Sequence, residues 1–266
     1  AGFIGSCLLS RLNREGFTSI VAVDEFTHLE KNKNLAGKTF DYLVDREQFF
    51  DWMTDDRWKE TEIVFHLGAR TDTAETDEEL FNRLNLEYTK SVWSACAKHD
   101  IPLLYASSAA TYGDGSNGYE DEHGLVPDLK PLNAYGWSKQ RFDRWALEQE
   151  ERPPSWYGLK FFNVYGPNEY HKGRMASVIW QAYRQIRETG RMKLFRSHHP
   201  EFEDGKQKRD FVYVRDVLDI MIWLWKNNAE NGLYNAGTGE ARTFLDLTRA
   251  VFDALGKTPD IDFIDT

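Results

Sequence analysis

The chain has 266 residues, 41% of them hydrophobic and 29% charged, enough to bury the core of one large α/β domain or two modest ones. No apolar run approaches the ~20 residues of a bilayer span, so no membrane partner is expected. A net charge of −10 argues against a basic face for nucleic acid. Cys7 and Cys96 make neither a disulfide framework nor a metal-ligand set, and read as small buried hydrophobes in a reduced compartment. With no signal peptide in view, the expected location is the cytoplasm.

Taken in order, Ala1-Gly2-Phe3-Ile4-Gly5-Ser6 leads into an amphipathic helix with Ile4, Leu8 and Leu12 on one stripe, ended near Gly16. Residues 19–23 read as a buried strand closing on Asp24. This is the back half of a βαβ dinucleotide unit: two glycines open the helix, and an acid about 20 positions on holds a ribose hydroxyl. The first strand and first glycine of such a unit are expected upstream, so the chain reads as truncated at its start. Residues 24–49 are polar, and of their cations Lys31 and Arg46 are candidates for an adenosine phosphate. Residues 61–67 form another buried strand, ending in Gly68-Ala69, where small residues let backbone approach a cofactor. His66 reads as a packed strand-end residue. A long helix is predicted from about Glu78 to His99, with Asn85 on its core stripe as a bridge to the preceding strand ends.

The apolar run from Leu103 to Ala106 delivers Ser107, Ser108 and Thr111. After a polar loop, Tyr135 and Lys139 stand at i and i+4 and share one helix face. A serine, a tyrosine and a lysine gathered outside the carboxyl edge of a sheet suit proton transfer at a carbinol oxygen. The phenol is the acid/base, the ammonium lowers its pKa, and the serine orients the substrate oxygen. Tyr-x-x-x-Lys alone is a weak signal, and its company gives it weight.

Residues 158–167 form a strand running into a turn, followed by a helix carrying Val178, Ile179, Ala182 and Ile186 and a strand at 193–195. A charged loop (196–209), a strand (210–214), a strongly apolar helix (216–225) and a strand with a glycine turn (233–239) come next. Thr243 N-caps a last helix, and 261–264 is strand-like. The alternation predicts an α/β fold: a doubly wound parallel Rossmann sheet over 1–165, to which 211–237 returns, and a smaller C-terminal substrate-binding domain over 166–266.

These pieces resemble the extended short-chain dehydrogenases/reductases that act on nucleotide sugars. The resemblance rests on Gly2-Phe3-Ile4-Gly5, Asp24, His66-Leu67-Gly68-Ala69, Ser107-Ser108, Tyr135-x-x-x-Lys139, Asn163-Val164-Tyr165-Gly166-Pro167, the run from Arg209 to Val214, and Asn235-Ala236-Gly237-Thr238-Gly239. Dehydratases of that superfamily carry an acid pair after the catalytic hydroxyl. Ala109-Ala110 cannot supply one, so dehydration is not expected. The stretch His171-Lys172-Gly173-x-Met175-Ala176-Ser177 is similar to the branch of 6-epimerases acting on an ADP-linked heptose.

The resemblance implies transient oxidation at C6 of ADP-heptose by one tightly bound NADP (or NAD) per subunit, with hydride returned to the other face. It also implies a place in lipopolysaccharide inner-core synthesis and a homo-oligomer, a ring of five. Tyr135 and Lys172 would be the two acid/base groups, with Ser108 and Lys139 completing the catalytic set. Gly2, Phe3, Ile4, Gly5, Asp24, Glu25, Lys31, Arg46, Leu67, Gly68, Ala69, Asn85, Lys139, Val164 and Lys172 would face the cofactor. Ser108, Asn163, Arg174, Phe195 and Arg209 would face the substrate, Arg209 gripping its diphosphate. Asp24 favours NAD, whereas Lys31 beside it would admit the extra phosphate of NADP. Arg174 and the long loop 196–207 depart from the family pattern. Two rivals stay open, a 4-epimerase of a UDP- or GDP-sugar and a non-catalytic dinucleotide sensor.

Overall fold

Runs of β-branched and aromatic residues become strands, and apolar residues spaced at 3.6 become helices. The computed structural model describes residues 1–198, 200 and 202–265. Its elements begin α1 (Phe3–Arg14), β1 (Val21–Asp24), β2 (Tyr42–Asp45), β3 (Val64–His66), α2 (Tyr88–Lys98), β4 (Leu103–Ser108), α3 (Ala134–Glu148) and β5 (Trp156–Phe161). They continue with β6 (Asn163–Tyr165), α4 (Val178–Thr189), β7 (Met192–Phe195), β8 (Lys208–Arg209), β9 (Phe211–Tyr213) and α5 (Val214–Lys226). Last come β10 (Gly232–Ala236), β11 (Arg242–Thr243), α6 (Phe244–Ala254) and β12 (Ile261–Ile264). Two compact units result, one of Ala1–Phe161 with Arg215–Ala236, the other of Phe162–Val214 with the residues from Gly237 onward.

In the first unit four parallel strands lie in the order β10-β5-β4-β3, with Ser108 opposite Phe161 and Tyr234 opposite Leu159. All six residues of β4 are buried, the signature of a parallel strand covered on both faces. Trp93 and Trp156 meet edge to face at 5.2 Å, and Tyr105 and Phe142 at 4.8 Å, so aromatic rings fill much of this core. β1 and β2 form a separate parallel pair. The sequence reading missed β2 because only Val44 of its four residues is buried and the run is short. The returning segment is tied to the first helix by ion pairs Arg11–Asp219 and Lys226–Glu15. Trp225 also stands edge-on to Phe65 at 5.7 Å.

The expected division at 165/166 falls instead after Phe161, and the returning segment begins at Arg215 rather than 211. The reason is pairing: β6 hydrogen-bonds in parallel with β9, Asn163 opposite Phe211, so both strands leave with the second unit. There α4 and α6 cover the parallel pair β7–β12 around Ile186, Leu194 and Phe252. Thr243 caps α6 through a capping box: its Oγ1 accepts from the Asp246 N–H at 3.0 Å while Asp246 accepts from the Thr243 N–H at 3.2 Å. Thr243→Ala should cost about 1 kcal/mol, read as a lower urea midpoint; an unchanged midpoint would show the cap to be idle.

The long helix predicted from Glu78 is continuous but not uniform. Asn82–Glu87 is a widened π-turn between an α-turn at Glu78–Phe81 and α2. No helix among the described residues is long and apolar enough to cross a membrane. Both cysteines are buried and neither forms a disulfide, and burial pushes Cys96 up to about 12.

Candidate active site

The site in the first unit is built where β4 ends and α3 begins. Asn133 caps α3, its Oδ1 accepting from the Gly136 N–H at 2.8 Å, which fixes Tyr135 in the first turn. Gly136 must be a glycine. A Cβ there would sit 2.8 Å from the Ala110 carbonyl oxygen, so its absence lets α3 close onto the helical turn Ala109–Tyr112 that follows Ser108. Ser108 is buried at the strand end, and its Oγ accepts from the Ala110 N–H at 3.1 Å. The Ser108 hydroxyl lies near enough to the Tyr135 phenol to act on it, pulling its proton affinity down.

Lys139 lies one turn further along and is 4% exposed; its Nζ donates to the Ala106 carbonyl at 2.7 Å. Burial lowers its ammonium to about 8, partly opposed by the Asp143 carboxylate. One expectation needs correcting here. The Tyr135 phenol lies above its ordinary value, because burial outweighs the Ser108 hydrogen bond that lowers it, and Asp143 adds a further upward push. Lys139, engaged with the β4 backbone, is not the group that pulls it down.

Asn85, nearly fully buried on the π-turn, bridges as expected: it accepts from the Arg70 N–H at 2.8 Å, and its amide donates to the Arg70 carbonyl at 2.9 Å and to Ser138 Oγ at 3.0 Å. His66 is a packed neutral ring, 3.0 Å from Thr89 Oγ1 and stacked on Tyr88, with burial holding it down to about 3.

The remaining first-unit candidates gather at the carboxyl ends of β1, β2 and β3, where open parallel sheets bind ligands. α1 starts straight after Gly2 with no side-chain cap, and a Cβ added at Gly2, Gly5 or Gly68 would meet nothing within 4 Å. Backbone N–H groups and the positive helix end therefore suit a pyrophosphate. Phe3 is buried and Ile4 half-buried beside them, and Leu67, Gly68 and Ala69 follow β3 directly. Asp24 closes β1 with Lys31 Nζ at 2.8 Å, and Lys31 also lies 3.7 Å from Glu25. Arg46 follows β2, pairs with Glu47 at 3.2 Å and accepts from the Tyr88 hydroxyl through its carbonyl. These features fit a dinucleotide.

In the second unit, Lys172 lies on the helical turn Tyr170–Met175. Burial lowers its ammonium, and Glu169 opposes the shift. Glu169 is 2% exposed and organises the turn, accepting from the Gly166 N–H at 3.2 Å, from the Ser177 hydroxyl at 2.8 Å and from the Ser177 N–H. Gly166 has φ +154°, and a Cβ there would lie 2.5 Å from Val214 Cγ1. Val164 lies in β6, and Asn163 donates to the Asp210 carbonyl at 3.1 Å. Arg209, exposed, donates to the Lys208 carbonyl and holds its guanidinium 6.0 Å over the Phe244 ring. Arg174 and Phe195 are exposed. In the charged loop Arg196 pairs with Asp204 at 2.9 Å and Lys206 with Glu203 at 2.7 Å; His199 and Glu201 lie outside the described residues.

Sequence reasoning did not single out Asp143, Lys160 or Glu169. Asp143 had a signal, standing at i+4 from Lys139 on the same face. Lys160 and Glu169 had none beyond a charge inside an otherwise apolar or turn-forming run.

Comparison with known proteins places this geometry. The pattern of the NAD dependent epimerase/dehydratase family matches residues 1–237. An ADP-L-glycero-D-manno-heptose-6-epimerase of Nitratidesulfovibrio vulgaris (strain DP4) is 48% identical, over 100% of this chain and 82% of its own. One of the same name from Fusobacterium nucleatum is 44% identical, over 98% and 80%. Among solved structures, the Helicobacter pylori ADP-L-glycero-D-manno-heptose-6-epimerase superposes with a TM-score of 0.82 at 28% identity, covering 100% of this chain and 83% of that one. The Thermus thermophilus UDP-glucose 4-epimerase in complex with NAD gives 0.77 at 26% identity, covering 98% and 83%. The chain belongs to the NAD dependent epimerase/dehydratase family.

Proposed function

We propose that the protein inverts C6 of ADP-D-glycero-D-manno-heptose to give the L-glycero epimer, by oxidation and re-reduction at that carbon. The observation that carries the reading is the Tyr135 phenol set within reach of the Ser108 hydroxyl at the end of buried β4, with Lys139 one turn behind. A bound nicotinamide dinucleotide would accept and return the hydride, held by the start of α1, Asp24 with Lys31, residues 67–69 and Lys139. As the alcohol becomes a ketone, Tyr135 would take the proton of the C6 hydroxyl as the phenolate, a form that the positive ring of a bound oxidised nicotinamide would favour against the burial that raises it, and Ser108 would hold that oxygen. Once the ketone presents its other face, the second acid/base group, Lys172, returns a proton to the oxygen. Asn163 and Arg209 hold sugar and diphosphate. Ala109 and Ala110, standing where an acid pair would be needed to expel water, speak against dehydration. The product would feed lipopolysaccharide inner-core synthesis in the cytoplasm, and the working form would be a homo-oligomer.

Incubation with ADP-D-glycero-D-manno-heptose, followed by NMR of the C6 centre, should show conversion. Turnover of UDP-glucose in its place would overturn the assignment in favour of a 4-epimerase. We assign NADP as the preferred dinucleotide, since the Lys31 ammonium 2.8 Å from Asp24 offsets the charge that would repel a ribose phosphate. Lys31→Ala should then lower the affinity ratio of NADP to NAD by about tenfold, the scale of one lost charge contact near a surface. Titration calorimetry with each dinucleotide reads this, and an unchanged ratio would remove Lys31 from the choice.

A further inference from the structure

Behind Ser108 and Tyr135 lies a closed polar cluster to which the mechanism above gives no task. Asp143 is 0% and Lys160 1% exposed, and they form an ion pair at 2.9 Å in the interior of the first unit. The Asp143 carboxylate also accepts from the Ser107 hydroxyl at 2.6 Å and from the Tyr105 hydroxyl at 3.1 Å. Lys160 donates to Thr111 Oγ1 at 2.8 Å and lies 5.1 Å over the Tyr112 ring. The cluster draws on three separate elements flanking the site, β4, α3 and β5, together with the turn after Ser108.

Its placement is specific. Tyr135, Lys139 and Asp143 stand at i, i+4 and i+8, so α3 presents all three in one row against β4. Ser107, bonded to Asp143, is the residue immediately before Ser108. Thr111, bonded to Lys160, hangs its hydroxyl on the Ser108 carbonyl at 2.8 Å. We propose that the Asp143–Lys160 pair is a positioning device for the active site, locking Ser108 between two charged anchors and fixing the electrostatic field in which Lys139 sits.

The charged and titratable groups facing Asp143 are Tyr105 from β4, Tyr112 from the turn, Lys160 from β5, and Tyr135 and Lys139 from its own helix. Asp143 is the one group opposing the burial that lowers Lys139, and it raises Tyr105 and Tyr135 after burial has done so. Its catalytic consequence rests on the epimerase reading, whereas its electrostatic core does not. A pair that merely fastened β5 to α3 would affect stability and leave these protons alone.

The test follows the Lys139 ammonium by NMR of lysine carrying 13C at Cε, the resonance assigned with Lys139→Arg, in protein free of substrate. Wild type should titrate near 8. Asp143→Asn keeps the shape and removes the charge, and should move that midpoint down by about one pH unit. Lys160→Met leaves the carboxylate uncompensated and should move it up, Lys160→Arg should hold it, and the Asp143→Asn/Lys160→Met double variant should return it toward wild type. Should one single variant fail to fold, the other reads the same pair with opposite sign. A Lys139 midpoint unmoved in the single variants that fold, with only thermal stability lowered, would overturn the proposal. Because no substrate enters this measurement, a failure of the heptose assay would not alter what the titration shows.

Discussion

Tyr135→Phe should lower the epimerisation rate by about a hundredfold to ten-thousandfold, the range lost when a positioned proton-transfer group is removed, and leave dinucleotide content and thermal stability close to wild type. The substitution deletes one oxygen. The ring keeps its neighbour Phe81 at 6.4 Å, and Ser108 keeps the Ala110 N–H, so neither packing nor the strand end loses its support. What disappears is the phenol beside Ser108, the group proposed to take a proton from the sugar hydroxyl. NMR of substrate conversion, mass spectrometry of the native protein for bound dinucleotide, and a melting curve separate these effects. Conversion within about tenfold of wild type would place the acid/base elsewhere. The pH dependence has a definite sign: Lys139 is cationic below about 8 and neutral above, so any rate that needs its charge falls as pH rises through that value.

The parts of this molecule that could be read from sequence are those fixed by local rules. Tyr135 and Lys139 share a face because helices repeat, Thr243 caps because its hydroxyl reaches back to the N–H of Asp246, and the apolar run at Leu103 is a strand because both its faces are covered. What could not be read depends on residues distant in the chain. Lys160 gains its meaning from Asp143, 17 positions away, and from Thr111, 49 away. Asn85, on the π-turn, meets the Arg70 backbone and Ser138, neither of which leaves a trace in helical periodicity. The direction of the tyrosine shift failed for the same reason: adjacency on a helix suggests a cation acting on a phenol, but depth of burial, a property of the whole fold, decides the sign. The unit boundary moved because β6 found its partner at Phe211 rather than in the sheet it follows.

Lys172→Met should depress epimerisation by about a hundredfold or more with dinucleotide still bound, and Lys172→Arg should do nearly the same. The pair of substitutions carries the argument. A lysine that only grips a phosphate is a point charge, and arginine restores the charge with additional donors. A lysine that returns a proton must be able to lose one, which arginine does not do in proteins. The surroundings of Lys172 suit the second role. Burial lowers its ammonium, and the opposing carboxylate of Glu169 is engaged with Gly166 and Ser177, holding the turn while tempering the shift. Glu169→Gln should move the Lys172-dependent limb of the rate profile to lower pH, while its single acceptor oxygen cannot hold both the Gly166 and the Ser177 N–H groups, so the turn loses part of its support. Single-turnover rates of both Lys172 variants across pH 6 to about 9 decide the matter: recovery of activity in Lys172→Arg would assign the residue to anion binding, and near-normal turnover in Lys172→Met would remove it from the mechanism.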